Sequence, residues 1–230
     1  MRGAPGRRNI VGIGKWSDGQ LVYALRTGIR PNGNFLPIYM PKFPLMSDED
    51  VRSVIAYLRS DRKEVQAVHT KTAVSSPSFL TKLLCNTVAK PYPYPKNAII
   101  TPDSSDKVAY GKYLVQGRYT CFGCHSADFK KLDELHPENS LGYCGGGNEL
   151  IDKEGKSIKS LNITSDKETG IGNWSENDFK LTLRMGIVKN ENALRYPMMP
   201  YTRLSDTELS SIYTYLQSVS AIKNKIERKF

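Results

Sequence analysis

The sequence predicts an all-α protein built from one complete helical unit and the rear half of a second, and three observations carry that expectation. Segments with helical hydrophobic spacing begin at cap-forming residues and stop at glycines. A cysteine- and histidine-bearing turn follows directly on one of them, at CFGCH. The string GIGKWS at Gly12 returns as GIGNWS at Gly170, and 170 minus 12 sets a constant offset of 158. At that offset the two segments match at roughly two positions in five over about 50 residues, a longer run than chance provides.

The complete unit contains three helices. Residues 106–116 place Val108, Tyr110 or Gly111, Leu114 and Val115 at helical spacing and lead straight into CFGCH. A glycine inside a helix costs about 1 kcal/mol relative to alanine, so Gly111 predicts close approach of another helix, for which the last helix is the natural neighbour. Ser175 and Asp178 form a capping-box start, Phe179 and Leu183 share a face, and Gly186 ends the segment. Ser205 with Glu208 caps the last helix, whose Leu209, Ile212, Tyr213 and Leu216 fall at i, i+3, i+4 and i+7.

In the shorter unit, Ser17 and Gln20 cap a helix carrying Leu21 and Leu25 that ends at Gly28. Ser47 and Asp50 cap Val51, Val54, Ile55 and Leu58. Between the units, residues 62–100 contain charges, SSPS, the apolar FLTKLLC and then KPYPYPK, whose alternating prolines favour an extended spacer or strap. Phe79, Leu80, Leu83 and Leu84 are expected to pack on the helical unit, the alternatives being a partner subunit or a membrane surface. The expected organisation is residues 1–61, a linker at 62–100, the complete unit at 101–222 and a basic tail at 223–230.

The 230 residues carry 39% hydrophobic side chains, enough for packed cores, and a formal net charge of +10. The lysines and arginines are dispersed and form no basic arm, which argues against nucleic acid and favours acidic protein partners. No run approaches the 18 or more apolar residues of a spanning helix. The opening MRGAPGRRNIVG lacks the apolar core of a secretory signal.

CFGCH is a C-x-x-C-H string, the attachment signature for c-type haem. Cys121 and Cys124 are one helical turn apart, so both thiols reach one porphyrin, and His125 follows as the proximal ligand with Gly123 adding little bulk. The competing reading is structural zinc held by Cys121, Cys124, Cys144 and either His125 or His136. Nothing in zinc ligation calls for a histidine directly after the second cysteine. The second axial ligand is expected to be a downstream methionine sulfur. RYPMMPYTRLSD offers Met199, which directly precedes Pro200, while the ungapped repeat sets Met198 opposite Met40. Cys85 and Cys144 are left to pair in an oxidising compartment, although the sequence does not bring them together.

The order of helix, CFGCH, loop, NITSDKETGIGNWS, short helix, YPMMPY and closing helix resembles a class I cytochrome c domain. More narrowly, it is similar to the dihaem and multihaem cytochrome c subunits of bacterial membrane-bound alcohol and aldehyde dehydrogenases. The resemblance covers residues 103–219 in full and 12–60 in part. It implies one covalently bound haem c and a pocket that includes Asn162, Ile163, Thr164, Gly170, Ile171, Gly172 and Trp174. Asn162-Ile163-Thr164 also has the form of a glycosylation acceptor.

The resemblance further implies electron transfer without substrate chemistry, acidic redox partners including dehydrogenase or oxidase subunits, peripheral membrane association and a periplasmic location. A dihaem-peroxidase-like haem enzyme is the alternative. The first copy has only 11 residues before Gly12 and no C-x-x-C-H ahead of Met40, so Met40 is expected to ligate iron only if a first haem exists, and the chain is expected to be incomplete at its N-terminus.

Overall fold

The computed structural model describes residues 13–37, 40–66, 78–87, 90–189 and 193–227, apart from the side chains of 84–86. Gly12, the side chains of Leu84 and Cys85, and the last three residues of the expected tail lie outside that description. The described chain is mostly helical, with one small two-stranded sheet, and divides into two compact units at Ile100 and Thr101.

In the first unit, α1 (Asp18–Thr27) starts at Ser17, where Ser17 and Gln20 exchange backbone and side-chain hydrogen bonds, and stops at Gly28 with φ 82°. Helix α2 (Asp48–Leu58) begins at Ser47, whose hydroxyl accepts from the amide of Asp50. Leu21, Met46, Val51 and Ile55 form the buried core between them. Arg26 is buried beside it and donates to Asp48 Oδ1 at 2.5 Å and to the carbonyl of Pro44 at 3.3 Å.

The proline-rich segment straps this unit. The amide of Tyr92 donates to the carbonyl of Thr27, Tyr94 stacks on Tyr23 at 5.7 Å, and the carbonyl of Ile99 accepts from Asp48. Helix α3 (Phe79–Thr87) departs from the expected packing, because Phe79 is 81% exposed and Leu80 and Leu83 are exposed with it.

In the second unit, α4 (Lys107–Tyr113) is capped by Asp106 and opens at Leu114–Arg118 into a wider π turn. The helix of CFGCH follows as α5 (Cys121–His125). Helices α6 (Glu176–Met185) and α7 (Asp206–Ser218) start at Ser175 and Ser205 with reciprocal capping boxes, and α6 stops at Gly186 with φ 76°. Leu114, Val115, Phe122, Leu209, Ile212 and Leu216 lie at the centre of the core. A Cβ added to Gly111 would fall 2.0 Å from the carbonyl oxygen of Ser211, so α4 and α7 cross in backbone contact, as that glycine predicted.

The all-α expectation needs one correction. Strands β1 (Glu149–Ile151) and β2 (Ser157–Lys159) pair antiparallel with Leu150 opposite Ile158. Their turn is stabilised by Asp152 Oδ1, which accepts from the amides of Glu154 and Lys156, and by Gly155 at φ 80°. Beyond α7 the chain runs back over this unit as far as Asn224, two residues past the expected boundary. Asn224 Nδ2 donates to the carbonyls of Gly145 and Gly146.

Backbone hydrogen bonds recur between the units at the offset of 158. Trp16 to Ile13 matches Trp174 to Ile171, and Leu36 to Gly28 matches Leu194 to Gly186. Phe43 to Leu25 matches Tyr201 to Leu183, each at 2.7 Å. The same register sets Met40 against Met198.

Candidate haem site

Helix α5 is fixed by its middle. Phe122 is buried against Tyr143, with ring centroids 6.1 Å apart, and the Ser126 hydroxyl donates to the Phe122 carbonyl at 2.7 Å. That leaves Cys121 half-buried and Cys124 exposed, both as free thiols one turn apart. A Cβ at Gly123 would meet nothing within 4 Å, so space is open beside the thiols. Burial pushes the Cys121 thiol up to about 12 and raises Cys124 as well, which keeps both sulfurs protonated at neutral pH.

His125 is oriented from behind. Its Nδ1 lies 2.8 Å from the carbonyl oxygen of Leu161, and because a carbonyl only accepts, Nδ1 carries the proton. The lone pair is therefore on Nε2. Burial holds the imidazole below its ordinary range, against the opposing effect of the Leu161 hydrogen bond, and so favours the neutral, ligating form.

The Leu161 carbonyl is placed by a backbone ladder that the sequence reading missed. Residues 144–148 lie between the end of α5 and residues 160–163. Gly146 donates to the carbonyl of His125, Asn148 to that of Ser126, Ser160 to that of Asn148, and Ile163 to that of Cys144. A Cβ on Gly146 would sit 2.5 Å from the carbonyl carbon of Leu161, so this layer closes only over glycine. The run GGG in GYCGGGN was the available signal.

The seven residues expected around the haem come together in one loop packed on α7. Asn162 is buried. Its Oδ1 accepts from the amide and hydroxyl of Thr164, while Nδ2 donates to Thr169 Oγ1 and the Ile222 carbonyl. Those bonds brace the loop and exclude the glycosylation reading, which requires an accessible amide. Cβ atoms on Gly170 and Gly172 would lie 2.4 and 2.1 Å from the carbonyl oxygens of Thr164 and Ser165. Ile171 is buried, Ile163 and Trp174 pack against the core from its edge, and the Trp174 carbonyl accepts from Tyr213.

The methionine-bearing loop is tied to α6 at Gly186 and Leu183. Its Tyr201 meets Tyr119 edge-on at 5.8 Å, and Tyr119 and Arg118 both donate to Glu208 Oε1. Burial, with Cys121 and Cys124 adding to it, pushes the Tyr201 phenol up to about 12. Met198 is half-buried and Met199 is 55% exposed. Leu181, Met185 and Ile187 add exposed apolar surface on α6 and just beyond it.

Among the described residues, no group of three or more His, Cys, Asp or Glu is assembled to hold a metal ion, so the zinc set is not brought together. His136 instead lies 3.6 Å from Asp133, and Cys144 is a fully buried free thiol. Two free thiols at helical spacing, an imidazole with its lone pair on Nε2 and open space at Gly123 fit covalent haem.

The chain is similar in sequence to the cytochrome c subunits of several bacterial dehydrogenases. In sequence the chain is similar to the fructose dehydrogenase cytochrome subunit of Gluconobacter japonicus, 30% identical over 229 residues that cover 91% of this chain and 42% of that protein. It is similar also to the gluconate 2-dehydrogenase cytochrome c subunit of Pantoea cypripedii, at 27% identity with 91% and 48% covered. The cytochrome c subunit of the quinone alcohol dehydrogenase of Gluconobacter oxydans is 26% identical, with 92% and 45% covered. No protein-family profile matches. The chain spans less than half the length of these relatives. No described helix is long and apolar enough to cross a membrane.

Proposed function

We propose that residues 101–222 bind one haem c through Cys121, Cys124 and His125, with Met199 as the second axial ligand, and that the protein transfers single electrons without substrate chemistry of its own. The observation that carries this reading is the Nδ1 hydrogen bond from His125 to Leu161, which leaves the lone pair on Nε2 of a histidine that directly follows two free thiols on the same helix. One-electron chemistry is supplied by the haem iron when bound. The chain's own part is to hold the imidazole neutral and fixed in orientation, keep the thiols protonated and exclude water with the loop of Asn162, Ile163, Thr164, Gly170, Ile171, Gly172 and Trp174.

Pro200 supports Met199, since its Cγ abuts Gly186 and stiffens the loop. The 158 register supports Met198 as the alternative. Residues 1–61 are the rear half of a second cytochrome c domain, and Met40 serves iron only where a first haem is present. Donors are dehydrogenase subunits of the kind the relatives accompany, and the location is periplasmic, with peripheral membrane attachment. The net charge of +10 steers acidic partners, so reduction by a physiological donor slows as salt rises.

A reduced-minus-oxidised spectrum of the holoprotein, followed by reoxidation with an acceptor cytochrome, tests the function. A reversible one-electron change agrees with it. Peroxide turnover, or the absence of a redox-linked band, contradicts it. Loss of the methionine-ligand signature in Met198→Ala but not in Met199→Ala would move the ligand by one residue.

A further inference from the structure

The charge of the chain is shared unevenly between its units. Residues 1–100 hold 15 of the 33 lysines and arginines but 6 of the 23 aspartates and glutamates, a net charge of +9 against +1 for residues 101–230. From Val65 to Ile100 the first unit carries four lysines, at 71, 82, 90 and 96, and neither an acidic residue nor an arginine. Helix α3 sits in the middle of that stretch. Its Phe79 is 81% exposed, Leu80 61% and Leu83 45%. At about 100° of rotation per residue, these three share an arc of about 100° on the helix surface. Lys82, Lys90 and Lys96 are exposed as well.

The apolar arc and the lysines around it fit a lipid surface better than a protein one. Protein interfaces are depleted in lysine and enriched in arginine, and charges of both signs fix their register. Here every cation is a lysine and no acidic residue accompanies it. A helix lying in a membrane surface needs an apolar side that enters the acyl boundary and lysines whose long stems reach back to the headgroups. At nine residues α3 is about 14 Å long, which is too short to span a bilayer and long enough to lie along one. It is also held to the folded unit. Shortly beyond its end the amide of Tyr92 donates to the carbonyl of Thr27, and Tyr94 stacks on Tyr23.

We propose that α3 lies in the headgroup layer of a bilayer carrying anionic phospholipid, with Phe79, Leu80 and Leu83 inserted and Lys82, Lys90 and Lys96 drawn to the phosphates. This rests on the peripheral attachment proposed above and gives it a site. The two units then divide the work. The first holds the protein at an anionic surface, and the nearly neutral unit that contains CFGCH is left to meet redox partners. The haem has no part in this attachment, so its failure leaves the electron-transfer reading untouched.

The test is co-sedimentation of the full holoprotein with vesicles of phosphatidylcholine, either alone or mixed equally with phosphatidylglycerol. Binding to the mixed vesicles is expected, with affinity about ten-fold or more above that for the neutral ones. Phe79→Ser combined with Leu83→Ser should weaken it by about ten-fold or more, and Lys90→Gln by about five-fold. Met185→Ser, at an exposed apolar position of the other unit, should leave it unchanged. All these variants change exposed positions, and unchanged far-UV and reduced-minus-oxidised spectra verify that fold and redox site are kept. Full binding by the Phe79→Ser, Leu83→Ser protein overturns the proposal and leaves peripheral attachment standing at another site. Wild-type protein that ignores the mixed vesicles overturns both. Equal binding to neutral and mixed vesicles overturns the proposal, because the lysines would then contribute nothing. So does a dimer in solution that dissociates in the double variant, because a second copy would then cover the face.

Discussion

Gly111 and Ser211 bring α4 and α7 into backbone contact, with the missing Cβ of Gly111 falling 2.0 Å from the Ser211 carbonyl oxygen. Alanine at position 111 gains about 1 kcal/mol of helix propensity but loses about 3 kcal/mol by forcing the crossing apart. A net loss near 2 kcal/mol is expected in urea unfolding. Gly19 in α1 is the control, since its Cβ would lie 4.0 Å from the nearest atom, Ser17 Oγ, and Gly19→Ala should be neutral or slightly stabilising.

Asn162 satisfies both sides of its amide inside the protein. Asn162→Ala would strand the amide and hydroxyl of Thr164 and the carbonyl of Ile222 in a buried loop, at a cost of about 3 kcal/mol. The loss should appear in the urea transition reported by Trp174 in a Trp16→Phe background. An unchanged midpoint would show that the loop does not depend on this brace.

One ion pair occurs in both units in different surroundings. The side chain of Arg26 is 2% exposed beside Asp48, and that of Arg184 is 34% exposed beside Asp206. Asp48→Ala strands a buried guanidinium and should cost about 3 kcal/mol. Asp206→Ala removes a hydrated pair and should cost less than about 1 kcal/mol. Unfolding followed at Trp16 and Trp174 separately, in single-tryptophan backgrounds, compares the two.

Much of this frame was legible because the signals lie in side chains. The serine caps, the terminal glycines at Gly28 and Gly186, Gly111 and the repeat all act locally, and the structure places each where its chemistry requires. Three features were not legible. The partner of His125 is a backbone carbonyl, so residue 161 carries no signature of its own. The hairpin strands have three residues each, too few to show alternation above the turn residues around them. The course of the chain as far as Asn224 depends on contacts with Gly145 and Gly146, about 80 residues away, beyond the reach of local spacing.

The cap of α6 makes stability depend on pH where the cap of α1 does not. The amide of Ser175, Lys189 and the Ser175 side chain together lower Asp178 from 3.8 to about 2. Its folded value is below its unfolded one, so the stabilisation is complete above about pH 4 and is lost as pH falls toward about 2. Gln20 fills the same place in α1 and does not titrate. Between about pH 4.5 and 2.5 the unfolding midpoint of the wild-type chain should therefore fall further than that of Asp178→Asn. Parallel curves would contradict this assignment.

The central claim is that haem is covalently bound at Cys121 and Cys124 beneath His125. A pyridine haemochrome assay on protein matured in an export-competent host, after extraction with acidified organic solvent, tests it most directly. One non-extractable haem c per chain, lost when both cysteines are changed to alanine, is the predicted result. Colourless protein, or pigment that washes out with the solvent, would contradict it.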